Sequence, residues 1–205
     1  MKKFTLTLAT ATALLTGCGD TDKVGSKIDL QKTSKQITQN FTQTDKNWKS
    51  KSGHWLIKNG VLKQTETKNS YNLILFKKEQ FSNLDISVEF KSISGETDAS
   101  GGIVFRAQDS NNYYIVRANA LEGNYRLYTF KNGSRHQIAT ASVKPPKIGK
   151  FHTMRIVAVG EHIQAYLDGK LLLDHHDKSF QKGYAGLWTK ADSVTEFDNF
   201  KVAGN

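Results

Sequence analysis

Residues Ser100–Tyr128 read SGGIVFRAQDSNNYYIVRANALEGNYRLY, and this stretch predicts three consecutive β-strands. The predicted strands are Ile103–Gln108, Tyr113–Asn119 and Tyr125–Phe130, each rich in β-branched and aromatic residues. The segments between them contain the Asp, Asn, Ser and Gly residues that are typical of turns. Three short strands joined by such turns favour an antiparallel sheet.

Side-chain alternation along these strands predicts a sheet with one apolar face and one polar face, because successive strand residues point to opposite sides. On the first strand Val104 and Arg106 would share the polar face. The side chains predicted to line that face are Arg106, Arg117, Asn119, Arg126 and Tyr128. Three arginines with an amide and a phenol predict a binding surface for hydroxyl or carbonyl oxygens. An ordinary solvated sheet face is the alternative.

The rest of the chain also favours strands over helices. Further strands are predicted at Asn72–Phe76, Leu84–Lys91, Phe151–Val159, Tyr184–Thr189 and Val194–Val202. Tight hairpin turns are predicted at Asn59-Gly60, Asn132-Gly133 and Asp168-Gly169, because these dipeptides accept positive φ. No segment shows an apolar period of 3.6 residues beyond one or two turns. The sequence therefore predicts an all-β antiparallel sandwich of two sheets.

The N-terminus predicts export and lipid anchoring. Met1-Lys2-Lys3 is followed by the apolar run Phe4–Leu15 and by LTGC ending at Cys18, the single cysteine of the chain. This arrangement resembles the lipobox of bacterial lipoproteins; a buried thiol behind an ordinary signal peptide is the alternative. We expect a signal peptide at 1–18, a flexible tether at 19–38 and a folded domain at 39–205. The expected location is the cell envelope, on the periplasmic or cell-surface side of a membrane.

The formal net charge of +10 does not predict a nucleic-acid partner. The lysines are scattered along the chain and no basic helix is present. Weak attraction to anionic glycans or lipid head groups is the expected consequence of the charge.

Several motifs resemble one known family. They are SGGIVFRAQD at 100–109, NYY at 112–114, VRANALE at 116–122, YLDGK at 166–170, GLWTKADS at 186–193 and FDNF at 197–200. They are similar to the DUF1080 family, also called the 3-keto-disaccharide hydrolase domain, over roughly Trp48 to Val202. The family's opening segment is represented here only by Asn47-Trp48. The resemblance implies a concanavalin A-like jelly roll whose concave sheet carries the sugar site.

The activity implied by this resemblance is cleavage of a glycoside oxidised at C3. A C3 ketone acidifies the C2 hydrogen, so a base can remove it and the C1 substituent can leave before water adds. Such a site needs one base and donors for the enolate oxygen. The candidates for proton transfer are Glu89, Glu122 and Tyr128. The candidates for substrate binding are Arg106, Arg117, Asn119, Arg126, Trp188 and Lys190.

Other interpretations remain open at this point. Glu89 could be an ion-pair partner, Glu122 a solubilising turn residue and Trp188 a core residue. The whole domain could be a non-catalytic carbohydrate-binding module or a structural part of the envelope. The expected partner is an oligosaccharide or a modified glycoside.

Metal and cofactor signals are weak. His175 and His176 are adjacent and would point to opposite faces of a strand, and no zinc motif occurs, so a zinc site is not expected. A structural calcium held by Asp198 and loop carbonyls is the alternative that the resemblance implies, because relatives of the implied fold often hold one. No cofactor is expected.

Overall fold

A computed structural model of the chain describes residues 25–205, which form fifteen β-strands and no helix. The strands in chain order are β1 (Lys35–Gln39), β2 (Trp48–Ser52), β3 (Trp55–Lys58), β4 (Val61–Gln64), β5 (Tyr71–Phe81), β6 (Leu84–Ser94), β7 (Ser100–Ala107), β8 (Tyr113–Asn119), β9 (Asn124–Lys131), β10 (Ser134–Ser142), β11 (His152–Val159), β12 (His162–Leu167), β13 (Lys170–His176), β14 (Gly183–Lys190) and β15 (Val194–Gly204). The described residues contain no helix that could cross a membrane.

The strands form two antiparallel sheets, which confirms the predicted all-β sandwich. Sheet A has the order β13-β12-β11-β6-β15-β4-β3, and β1 pairs with β15. Sheet B has the order β10-β9-β8-β7-β14-β5-β2. Apolar side chains from both sheets pack between them, among them Ile86, Phe90, Phe105, Tyr114, Leu127 and Phe197. The three strands predicted from Ser100–Tyr128 are the adjacent strands β7, β8 and β9.

Two-residue turns close the three predicted hairpins. Both central residues have positive φ in each turn: 53° and 74° at Asn59-Gly60, 51° and 79° at Asn132-Gly133, and 48° and 79° at Asp168-Gly169. Positive φ at both positions matches the twist of the flanking strands. These turns fix the registers of β3–β4, β9–β10 and β12–β13.

Sheet B curves strongly around its outer face, which we call the concave face. Tyr71 on β5 and Phe130 on β9 are separated by four strand spacings, about 19 Å across a flat sheet. Their rings nevertheless meet edge to face with centroids 5.1 Å apart. Side chains from distant strands therefore converge on this face.

A β-bulge at Arg106 corrects one of the predicted faces. Phe105 and Arg106 lie opposite Ala185 alone, and Arg106 has φ of 50°. The extra residue reverses the alternation, so Ala107 packs on the concave face with Val104. Arg106 points away from that face and donates to the carbonyls of Ser82 at 2.9 Å and Phe180 at 3.2 Å. The prediction that Arg106 shares a face with Val104 was wrong.

The N-terminal part of the described chain lies against sheet A. β1 begins at Lys35, inside the segment 19–38 that was predicted to be a flexible tether. Ahead of it, the amide of Ile28 donates to Gln164 Oε1 at 3.0 Å, and Gln164 Nε2 donates to the carbonyl of Ser26 at 2.9 Å. Cys18 and the predicted signal peptide lie outside the described residues.

Candidate functional site

A cluster of polar side chains occupies one end of the concave face, and we call it the arginine cluster. Its members come from β8, β9 and the turn between them: Arg117, Asn119, Glu122, Asn124, Arg126 and Tyr128. Arg117 Nη2 donates to Glu122 Oε2 at 2.9 Å, and Asn119 Nδ2 donates to Oε1 at 3.1 Å. Side-chain alternation predicted that Arg117, Asn119, Arg126 and Tyr128 would share a face, and the structure confirms it.

Glu122 is the anion at the centre of this cluster. It accepts a hydrogen bond from Asn124 Nδ2 at 2.8 Å and lies 3.7 Å from Arg126 Nη1. Burial alone would raise the pKa of Glu122, but the bonds from Arg117 and Asn124 and the two guanidinium charges outweigh it and lower the pKa to about 2. A carboxylate with such a low pKa is a weak proton acceptor, so Glu122 is better suited to orient the two arginines.

Several guanidinium N–H groups in the cluster point to no acceptor. Arg117 is 1% exposed, yet its Nε and Nη1 have no hydrogen-bond partner among residues 25–205. The same holds for Nε of Arg126. A buried donor without a partner costs free energy. These donors therefore remain available to an oxygen acceptor, such as a water or a ligand hydroxyl, that can reach them.

The phenol of Tyr128 lies between the two arginines. Its hydroxyl oxygen is 3.5 Å from Nη2 of Arg117 and 3.5 Å from Nη1 of Arg126. Tyr128 is 3% exposed. The phenolic oxygen is therefore held next to two permanent positive charges.

A second ion pair borders the cluster. Lys190 Nζ lies 3.3 Å from Oδ2 of Asp98, whose residue is fully buried. The turn that carries Asp98 is held by Asp192, whose carboxylate accepts the amide N–H groups of Glu96, Thr97 and Asp98. These amide bonds lower the pKa of Asp192 to about 2.

A pocket of about 260 Å³ lies on the concave face. It adjoins the packed rings of Tyr71, Tyr113, Phe130 and Trp188, which we call the aromatic layer. The pocket is lined by Lys51, Ser52, Tyr71, Leu73, Ser110, Asn111, Tyr113, Phe130 and Gly133. Tyr113 and Phe130 are a cross-strand pair with stacked rings 4.4 Å apart. Aromatic rings combined with a few amide, hydroxyl and amine groups are typical of small-ligand sites.

Arg135 joins the pocket to the arginine cluster. Its guanidinium carbon lies 5.4 Å from the ring centroid of Tyr71, which lines the pocket, and 4.6 Å from that of Tyr128. Both distances are within the range of cation–π attraction. Arg135 therefore packs against both a ring that lines the pocket and the phenol of the cluster.

Trp188 and Lys190 share the concave face, because they are two residues apart on β14. Trp188 is fully buried and stacks on Tyr71 with ring centroids 5.6 Å apart. The outermost ring of this pair is Tyr71. Trp188 is thus the buried member of the aromatic layer and packs behind Tyr71. Lys190 lies beside this layer and is partly exposed.

The structure does not bring Glu89 or Arg106 to this face. Glu89 lies on β6, on the outer face of sheet A, where it accepts from Asn199 Nδ2 at 2.9 Å. Asp198, the candidate calcium ligand, is its partner in the register of β6 and β15. Arg106 is fully buried near the end of the central strand β7, where the bulge described above turns it away from the concave face. The proposed roles of Glu89 and Arg106 in the same site as Arg117 therefore do not fit the geometry.

Other residues of this surface were missed by the sequence reasoning. Tyr71, Tyr113, Asn111 and Arg135 come from strands and turns that strand alternation does not connect. Ser110 and Asn111 lie in the segment between the first two predicted strands, where the sequence predicts only a turn. Only the curvature of sheet B brings these groups together.

Comparison with solved structures shows which fold the domain shares. The carbohydrate-binding module CBM66 from Bacillus subtilis superimposes with a TM-score of 0.70 at 24% identity, covering 76% of this chain and 94% of that chain. The Bacillus licheniformis beta-glucanase gives a TM-score of 0.60 at 12% identity, covering 85% of this chain and all of that chain. At these identities the likeness shows a shared concanavalin A-like fold.

The chain belongs to the family of 3-keto-alpha-glucoside-1,2-lyase-like domains, whose model matches residues 38–203. It is also 30% identical over 108 residues to the levanase of Bacillus subtilis strain 168. That similarity covers 51% of this chain but only 15% of the levanase.

Proposed function

We propose that the concave face of sheet B binds a saccharide, with the aromatic pocket and the arginine cluster as neighbouring subsites. The observation that supports this most directly is the set of buried, unpartnered guanidinium N–H groups of Arg117 and Arg126 beside an aromatic-lined pocket. Sugars present the complementary chemistry. Their hydroxyl oxygens accept such hydrogen bonds, and their C–H faces pack on aromatic rings such as those that line the pocket.

The test uses the full-length chain carrying Cys18→Ser. Its binding is first screened on a panel of oligosaccharides, and the sugars that bind are then titrated into the protein by calorimetry. Arg126→Ala is expected to weaken binding at least ten-fold, because Arg126 supplies exposed donors to the cluster. The matched control is Arg155→Ala. Arg155 is a similarly exposed arginine, but it pairs with Asp85 on the outer face of sheet A. Equal loss in both variants, or no binding to any sugar, would contradict the proposal.

A second function, cleavage of 3-keto-glycosides, is favoured by the family membership and by the position of Tyr128. In this reaction a base removes the C2 proton, and the electron pair of that bond generates an enolate on the C3 oxygen. The enolate then expels the C1 alkoxide, which takes up a proton, and water adds to the resulting C1=C2 bond. Arg117 and Arg126 would stabilise the enolate oxygen, and Tyr128 is the group in the cluster best placed for proton transfer.

This reaction is tested by incubating the protein with 3-keto-trehalose or a chromogenic 3-keto-glucoside. Tyr128→Phe removes only the hydroxyl and is expected to lower kcat at least a hundred-fold with little change in sugar affinity. Glu89→Gln, on the opposite sheet, is expected to leave turnover unchanged. Binding without turnover in the unmodified protein would leave the non-catalytic binding function standing and exclude the lyase.

We also propose that the domain is held at the extracytoplasmic side of a membrane by a lipid on Cys18. The support is the lipobox-like sequence LTGC that ends at this residue. Metabolic labelling with a radioactive fatty acid should mark the protein in a bacterial host, and Cys18→Ser should abolish the label and release the protein from membranes. Equal labelling of both forms would exclude the anchor.

A further inference from the structure

A cluster of metal-ligating side chains lies on the outer face of sheet A, on the opposite side of the sandwich from the concave face. It consists of His162 on β12 with Asp174 and His176 on β13. His162 and His176 are direct partners in the antiparallel register, and Asp174 lies two residues before His176 on the same face. The sequence did not predict this cluster, because only the register of β12 and β13 brings the two histidines together.

The ligand atoms of the three side chains already lie close together. The imidazole rings of His162 and His176 stack with centroids 4.2 Å apart and an interplanar angle of 17°. His162 Nε2 lies 2.5 Å from Asp174 Oδ1. One ligand atom from each residue lies within 4.8 Å of the other two. Two ligands on one tetrahedral zinc are about 3.3 Å apart, so small side-chain rotations would complete the site.

The carboxylate is oriented by a second layer of hydrogen bonds. Gln164 Nε2 donates to Asp174 Oδ2 at 3.0 Å. Gln164 is fully buried, and its Oε1 accepts from the hydroxyl of Tyr166 at 2.8 Å and from the amide of Ile28 at 3.0 Å. A fixed amide that holds a ligating carboxylate is the arrangement that tunes metal sites in proteins.

The N-terminal segment closes one side of the cluster. A Cβ added at Gly25 would lie 2.3 Å from Asp174 Oδ2, so the chain passes directly beside the carboxylate. The other side is open, since Asp174 and His176 are exposed on the edge strand β13. A cation can reach the ligand atoms from solvent.

We propose that His162, Asp174 and His176 bind a divalent transition-metal ion of the Zn²⁺, Ni²⁺ or Cu²⁺ type. Two imidazole nitrogens and one carboxylate oxygen are a donor set that these ions favour over Ca²⁺ or Mg²⁺, which prefer oxygen ligands. Three protein ligands leave a fourth position for water or another ligand. The site is independent of the saccharide surface and does not rest on the function proposed for it.

The test is calorimetric titration of Zn²⁺ into the untagged full-length chain carrying Cys18→Ser, which removes the lone thiol. One ion per chain is expected to bind. His162→Ala and His176→Ala should each weaken binding at least ten-fold, and Gln164→Leu about ten-fold. The matched control is His136→Ala, which removes an exposed histidine from β10 of sheet B and should leave binding unchanged. Circular dichroism checks that each variant is folded.

Electron paramagnetic resonance with Cu²⁺ gives a second readout that does not depend on stability. The spectrum of the unsubstituted site should show coupling to two imidazole nitrogens, and that of His176→Ala should show one. A spectrum without two-nitrogen coupling, or Zn²⁺ affinity that is unchanged in both histidine variants, would overturn the proposal.

Discussion

Arg117 donates a 2.9 Å hydrogen bond to Glu122 from a side chain that is almost completely buried. The pair joins the end of β8 to the turn that leads into β9, and Glu122 in turn contacts Arg126. Two positive side chains are thereby held around one anion at the end of the concave face. This relationship determines how the proposed binding surface responds to substitution and to pH.

Arg117→Met should both destabilise the fold and impair binding, because Met fills a similar volume without donors. We expect unfolding in urea to show a loss of about 2 kcal/mol, the usual contribution of hydrogen bonds to charged groups. Arg117→Lys keeps the charge but not the fork of donors, and should be intermediate in both measurements. A fully stable Arg117→Met protein would contradict the structural role of the pair.

Because of Glu122, the free energy of unfolding should decrease as the solution becomes acidic. Its folded pKa of about 2 lies below the ordinary value of 4.5, so its stabilising contribution is complete above about pH 4.5 and is lost as the pH falls toward 2. The free energy of unfolding should therefore fall less between pH 7 and pH 3 in Glu122→Gln than in the unsubstituted protein. Glu161→Gln, in an exposed turn, is the control. Identical pH profiles for all three proteins would refute the assignment.

Substitution of Arg106 should lower stability but not sugar affinity, and substitution of Arg126 should do the reverse, although sequence alternation predicted one face for both residues. Arg106→Ala leaves two carbonyl groups without their donor, and we expect a loss of roughly 2–4 kcal/mol in unfolding free energy with unchanged sugar affinity. Arg126→Ala should weaken sugar binding while costing less than about 1 kcal/mol, because its ion pair is partly exposed. Loss of sugar affinity in folded Arg106→Ala would place Arg106 in the site after all.

Two glycines should differ sharply in their tolerance of alanine. Gly183 lies beside the backbone that leaves the Arg106 bulge, where an added Cβ would be 2.4 Å from the Arg106 carbonyl carbon. Gly183→Ala should destabilise the protein by about 3 kcal/mol, because the backbone must shift. Gly169 has open space around its Cβ position but φ of 79°, so Gly169→Ala should cost only about 1 kcal/mol. Thermal unfolding of the two variants gives the comparison, and equal melting temperatures would argue against the bulge.

The sequence by itself determined the fold class and the shared face of the arginines in the candidate site. Period-two alternation and three Asn-Gly or Asp-Gly turns were sufficient for a two-sheet sandwich, because both signals act between neighbouring residues. For the same reason alternation correctly placed Arg117 and Arg126 on one face. The roles of Trp188 and Tyr128 in a binding surface remain predictions.

The tertiary structure decided what alternation cannot encode. A single extra residue turned Arg106 away from the face it was predicted to share, since a bulge reverses every side chain beyond it. Sheet curvature brought Tyr71 to Phe130 across four strand spacings, and pairing in sheet A placed His162 opposite His176. Each of these contacts depends on register and curvature, which arise only when strands distant in the chain pack together.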